Sequence, residues 1–163
     1  MKARFLFLAA IVTGLLLAAC GEAAAIDADS LPPAEASQPS GGSLLPTFQS
    51  DDRLDEQGAV TVAIAPLNLS SPGETLDFQV TLDTHSVDLS MDLVGLSTLT
   101  TDTGLAVEAL EWDAPRGGHH VGGVLSFPAE VGGQPLLEGA ATLTLTIREV
   151  GTPERIFAWD STE

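Results

Sequence analysis

An antiparallel β-sandwich of about seven strands, carried on a flexible tether, is the fold this sequence predicts. Three observations carry the expectation. Apolar and polar residues alternate strictly over Leu76–Leu82 and again over Ala141–Ile147. Turn residues such as Ser71-Pro72-Gly73 and Asp102-Thr103-Gly104 punctuate the chain between apolar runs. Near residue 57 the composition changes, from Ala, Pro, Ser, Gly and acids to β-branched and apolar residues in alternation. Period two with one wet face is the mark of antiparallel sheet lying on a core.

The 163 residues carry 6 Lys and Arg against 23 Asp and Glu, a net charge of −17. Such a chain cannot neutralise phosphates, which argues against nucleic acid as a partner. A single cysteine rules out an internal disulfide framework.

That cysteine lies in the N-terminal segment. Lys2 and Arg4 precede a nearly unbroken apolar stretch, Phe5 to Leu17, and Leu17-Ala18-Ala19-Cys20 follows. A secretory signal has this layout, and the stretch is short for a bilayer span. Leu17-Ala18-Ala19-Cys20 resembles a bacterial lipobox. The resemblance implies cleavage after Ala19, removal of residues 1–19 as signal peptide, and acylation of Cys20. Cys20 is then a membrane anchor, holding by about 0.8 kcal/mol per buried CH₂ of its acyl chains. Gly21 stands where many inner-membrane lipoproteins carry Asp, which favours an outer-membrane or outward-facing destination over the inner membrane. Cleavage removes Lys2 and Arg4 and leaves 4 Arg against 23 acids, a charge of −19. Anionic lipid repels such a body, so its membrane contact is expected through the lipid alone.

Residues 20–56 read as an acidic linker broken by Pro32-Pro33 and Gly41-Gly42, too polar to fold alone. Leu44 to Phe48 is its one apolar patch, with docking as an extra edge segment the lesser alternative. The body then spans 57–163. Val60, Val62 and Ile64 open it, and the alternation at Leu76–Leu82 follows. Val87, Leu89, Met91 and Leu93 alternate on the opposite parity. That flip predicts a bulge or new strand near Thr84-His85, with a short helix over 87–96 as the alternative. Further strands are expected over Leu105–Trp112, around Val121–Phe127, over Ala141–Ile147 and over Arg155–Asp160. The sum is an immunoglobulin-like architecture without the Cys–Trp–Cys signature, with a barrel as runner-up.

Most catalytic motifs are missing, among them HExxH, Gly-x-Ser-x-Gly and Cys-x-x-Cys. The expectation is a non-enzyme: a lipid-anchored envelope lipoprotein whose sandwich binds an envelope protein. The sharper alternative rests on histidine. His119 and His120 are adjacent and flanked by glycine pairs, and His85 follows a strand. Imidazole suits copper and zinc, and the thioether of Met91 would favour Cu(I). His85, Met91, His119 and His120 are the candidate ligands. Their residue types and compartment resemble those of extracytoplasmic copper-carrier β-sandwiches, which implies copper or zinc carriage. Against this, neighbours in a regular strand face opposite ways, and the odd parity aligns His119 with Val121, Leu125 and Phe127. The histidines then simply tie loops to strand ends. Calcium would draw on Asp77, Asp83, Asp88, Asp92 or Asp102, but acids alternating with apolar residues are the pattern of a solvated face.

Overall fold

Leu76, Phe78, Val80 and Leu82 are all fully buried while the residues between them are half-buried, so the alternation read from the sequence is a strand lying on a core. The computed structural model describes residues 45–162. The signal segment, Cys20 and most of the linker lie outside the described residues.

Among the described residues twelve strands form: β1 (Thr47–Phe48), β2 (Arg53–Asp55), β3 (Val60–Pro66), β4 (Thr75–Thr84), β5 (Ser97–Thr101), β6 (Ala106–Glu108), β7 (Glu111–Asp113), β8 (His120–Pro128), β9 (Glu130–Val131), β10 (Gln134–Pro135), β11 (Thr142–Arg148) and β12 (Glu154–Thr162). One five-stranded sheet runs β1-β12-β11-β5-β6 and the other β2-β3-β4-β8-β7, with β9-β10 a separate hairpin. All pairings are antiparallel. The protein is an all-β sandwich. Phe78 of β4 joins the layers, its ring 5.3 Å from that of Trp159 on β12 and edge-on to Phe127 on β8 at 5.8 Å. Such pairs add about 0.5–1.5 kcal/mol beyond burial.

Both lateral edges are closed by a segment that changes sheets. β1 pairs with β12 and the same segment, four residues past Gln49, pairs as β2 with β3. On the other side β6 pairs with β5 and β7 with β8, joined by Ala109 and Leu110, which bond to Ser97 and Ser126 carbonyls at 3.3 and 2.8 Å. Strands that switch sheets are a standard way to make sandwich corners and to shield edges.

Four expectations change. The body begins earlier than residue 57, because Phe48 is 3% exposed and β2 carries Asp55, which holds Arg155. The docking of the Leu44–Phe48 patch, the lesser alternative, is what occurs for Thr47 and Phe48. The segment 87–93 is neither strand nor helix; Leu89 and Leu93 are buried from an irregular loop that ends in a 3₁₀ turn at Val94–Leu96. β5 replaces it as the strand, with Ser97 and Thr101 buried beside Leu99. The expected strand 105–112 is the corner just described, split between the sheets.

Arg155 sits between the layers, 1% exposed. Its Nε donates to the Val150 carbonyl at 2.9 Å. Nη1 donates to the Asp55 carbonyl and carboxylate at 3.1 and 2.5 Å, and Nη2 to the carbonyls of Gln57 and Val60 at 2.6 and 2.5 Å. A guanidinium has five N–H groups, and these five bonds use them all. Burial pushes its pKa down, opposed by the Asp55 carboxylate.

Candidate functional site

At one end of the sandwich β4 runs out and β8 begins, and here the register pairs Asp83 with His120. Alternation places both side chains on the outer face of the sheet, opposite the core pair Leu82 and Val121. His120 Nδ1 lies 2.5 Å from Asp83 Oδ1. The His120 side chain is 72% exposed and that of Asp83 43%, so water screens the pair and its worth to stability is about 0–1 kcal/mol. Its consequence is orientation: with Nδ1 held by a carboxylate, Nε2 is directed away from Asp83.

Two loops meet above this pair. The Thr84 N–H donates to the His119 carbonyl at 2.9 Å, extending the ladder one step past β8. Leu89 then exchanges bonds with the glycine pair: its N–H donates to the Gly118 carbonyl and the Gly117 N–H to its carbonyl, both at 3.1 Å. Gly117 and Gly118 have φ of 85° and 99°, a left-handed path that suits glycine. Side chains complete the join. Asp88 accepts the Gly118 N–H at 3.2 Å, and Asp92 accepts Arg116 at 2.6 Å and the Val94 N–H at 3.1 Å. The Arg116 bond, then the Val94 N–H, holds the Asp92 carboxyl below its ordinary range.

Beside the Asp83–His120 pair lies an open cleft of ≈ 360 Å³ whose lining includes Asp83, His85, Ser86 and His120, together with Gly58, Ala59 and Thr61. His85 and His120 therefore share one cavity although 35 positions separate them. The other two candidate ligands do not join them. Met91 is half-buried against the core, where its alternation with Leu89 and Leu93 takes it. His119 is exposed outside the cleft lining and contributes its carbonyl to Thr84. Its expected place in the core row fails because the buried row ends at Val121. Among the described residues, no three His, Cys, Asp or Glu side chains are grouped closely enough to hold a metal together.

The acids weighed for calcium are spread apart and mostly engaged by protein. Asp102 accepts the Ala141 and Thr142 N–H groups, Asp88 and Asp92 hold the loops, Asp83 holds His120, and Asp77 accepts Asn68 through Oδ2 while its Oδ1 is buried without a hydrogen-bond partner. The hydroxyls at the cleft are also committed in part: Thr84 Oγ1 donates to the Ala59 carbonyl at 2.6 Å. Among the described residues no hydroxyl is hydrogen-bonded to His120, so the His120–Asp83 pair lacks the nucleophile contact of a catalytic triad. A smaller cavity of ≈ 150 Å³, lined in part by Leu45, Pro72, Ala129 and Leu137, offers one carboxylate, Glu130.

Sequence reasoning weighed Asp83 only as a calcium ligand and missed it as the partner of His120. The signal was present, since Asp83 is outward on its strand and two positions before His85, but its partnership with His120 depends on a register that no local pattern encodes. The glycines around the His pair were legible as points of close approach. At Gly123 the approaching chain is the protein's own: a Cβ there would stand 2.1 Å from the Asp113 carbonyl oxygen. No family model matches the chain, and no curated protein or solved structure matches it.

Proposed function

We propose that this chain is a bacterial envelope lipoprotein, anchored outside the cytoplasm through Cys20, whose sandwich is a non-catalytic binding module with the His85–His120 cleft as its binding site. One observation carries the reading of the body: an open, polar cleft lies at one end of the sandwich, where the turn before β3 meets the chain leaving β4. Binding residues are concentrated on loops held by a rigid scaffold. The sheets below are closed laterally by β1–β2 and β6–β7, which favours an end over an edge as the contact point. The reading of the anchor rests on the lipobox-like Leu17-Ala18-Ala19-Cys20. A mature chain of net charge −19 adds no attraction to anionic headgroups, so the lipid supplies the attachment.

The test is expression in a bacterial host with mass spectrometry of the mature N-terminus and fractionation of Cys20→Ala. The expected results are an acylated Cys20 and release of the variant from the membrane fraction. An unmodified Cys20 in a membrane-bound mature chain would refute the anchor. The binding role is tested by crosslinking in intact cells: exchange of His85 and His120 for Gln should remove a specific crosslinked envelope partner, and an unchanged crosslinking pattern would move the binding site elsewhere.

A further inference from the structure

We infer that the outer face of the β1-β12-β11-β5-β6 sheet binds the same face of a second copy of this chain. The pairing is independent of the cleft. Its first support is where charge is missing. The middle of this face is Thr144 and Thr146 of β11 and Thr98 and Thr100 of β5, flanked by Ile156 and Ala158 of β12. On the far rim the same two rows end in Ala106 and Glu108 of β6, and Glu108 is their one charge. In a chain with 23 acids against 6 Lys and Arg, that is a neutral patch. The outer face of the other sheet carries Asp77, Asp83, Glu111 and Asp113 instead. Two bodies this acidic repel one another. They approach at least cost where neither presents acids, and a basic partner would find its charges on the other sheet.

The second support is that the face complements itself. Paired copies share a two-fold axis, so one patch must fit its own image. Place that axis in the face, across the strands and between the two middle rows. β12 then lies on β12 and β11 on β11. Ile156, an apolar side chain 61% exposed, meets the partner's Ala158, a large residue on a small one. Thr146 meets the partner's Thr144. Arg148, 57% exposed and 3.5 Å from Glu154, turns towards the row that holds the partner's Thr142 and Asp160. Area limits the strength. Strands about 4.8 Å apart and rows about 6.8 Å apart make the face about 20 Å by 20 Å, or about 400 Å² per copy. Two copies bury about 800 Å², below the roughly 1,200 Å² of a stable complex and in the range of transient ones. Pairing is therefore weak between free chains and fills where chains are gathered. The anchor proposed above would gather them, because modules held together meet at effective concentrations on the order of mM.

The test places single cysteines in the full chain, in membranes of a bacterial host, and adds a short bis-maleimide. The parent chain, whose one cysteine is Cys20, is the blank. Thr144→Cys and Thr146→Cys should give a crosslinked species that mass spectrometry identifies as two copies of this chain. Thr81→Cys, half-buried like them but on the outer face of the other sheet, should not. In the Thr146→Cys chain, Ile156→Lys removes the apolar contact twice per pair and should cut the yield by about tenfold or more. Ile156→Thr, which keeps a β-branched residue in the strand, should cut it less. Leu54→Lys, as exposed on the other sheet, should leave it unchanged. Circular dichroism checks each variant's fold. Raising salt from about 0.01 to 0.1 M, which shortens the Debye length from about 30 to 10 Å, should raise the yield. Equal yields from Thr81→Cys and Thr146→Cys would overturn the pairing. So would a yield indifferent to Ile156→Lys, one that falls with salt, or crosslinks from β11 to a different protein. An unmodified Cys20 with the crosslink intact removes the anchor and keeps the pairing; an acylated Cys20 without the crosslink does the reverse.

Discussion

Arg155→Met removes the most heavily bonded side chain of the body while keeping most of its apolar volume, and it tests what holds β2 and the turn after it to β12. The substitution deletes five hydrogen bonds. Gln57 is exposed, and water can replace what it loses, whereas the Asp55 side chain is only 11% exposed and is left as an unpaired charge. Val150 and Val60 are fully buried at 0% and 1% exposure, so their carbonyls lose a donor with no substitute nearby. An unsatisfied buried group costs about 1–3 kcal/mol, giving about 2–6 kcal/mol for the two. Removing one partner of a buried ion pair costs about 3–5 kcal/mol by a separate route. The routes agree, and about 3–5 kcal/mol is the expected loss, a large part of the roughly 5–15 kcal/mol that holds a domain. Urea unfolding followed by the fluorescence of the buried Trp159 measures it. With slopes of about 1–3 kcal/mol/M, the midpoint should fall by on the order of 2 M. Asp55→Asn keeps an acceptor for Nη1 and should cost less. If Arg155→Met lies within about 1 kcal/mol of the parent at equal slope, the guanidinium is not what fastens this corner.

Other consequences are simpler to state. Gly123→Ala drives a methyl into the Asp113 carbonyl and Ala114, and should destabilise by about 1–3 kcal/mol through overpacking, read from the same urea curves. A chain starting at residue 57 lacks β1, β2 and the Asp55 partner, and should show no cooperative unfolding transition. Because the Asp92 carboxyl is held below its ordinary value of 3.8 in the folded protein, its contribution is present above that value and is lost as pH falls through the lower, folded midpoint. Carbon NMR of Asp92 should place that midpoint below 3.8, and Arg116→Gln should raise it towards the ordinary value; an unmoved midpoint would discard the contact.

What the sequence disclosed and what it hid have a common cause. β3, β4, β8 and β11 were legible because each buries an alternating apolar row, as in Leu143, Leu145 and Ile147. β5 was hidden because two of its three inward residues are Ser97 and Thr101, so the local pattern looks polar although the strand is central. The segment 87–93 misled in the opposite sense. Its alternation is real, and Leu89 and Leu93 are buried, but Asp88 and Asp92 are hydrogen-bonded to loop backbone, which takes the chain off a ladder. Arg155 read as one polar residue on a terminal strand; four of its five bonds reach partners about a hundred positions away. The cleft was half legible. Three histidines marked the region, while which of them converge was set by the β4–β8 register and by where the core ends at Val121.

The same register explains why the ladder ends beside the cleft. A regular ladder would carry β4 and β8 on past Thr84 and His119. It stops because Gly117 and Gly118 turn the incoming chain along a left-handed path, and because the chain leaving β4 bends at His85 to bring Leu89 back to those glycines. Leu89 and Leu93 then seal the core end with apolar side chains while the backbone of the same loop bonds to Gly117 and Gly118. Sealing from the inside frees the outer face, so His85 and His120 stand over packed structure without having to contribute to it. A site on such a base can exchange residues with little cost to the fold, whereas Leu89, one residue inside the same loop, cannot. Leu89→Ala should therefore cost about 2–5 kcal/mol of stability, and His85→Gln almost none, although the two lie four residues apart.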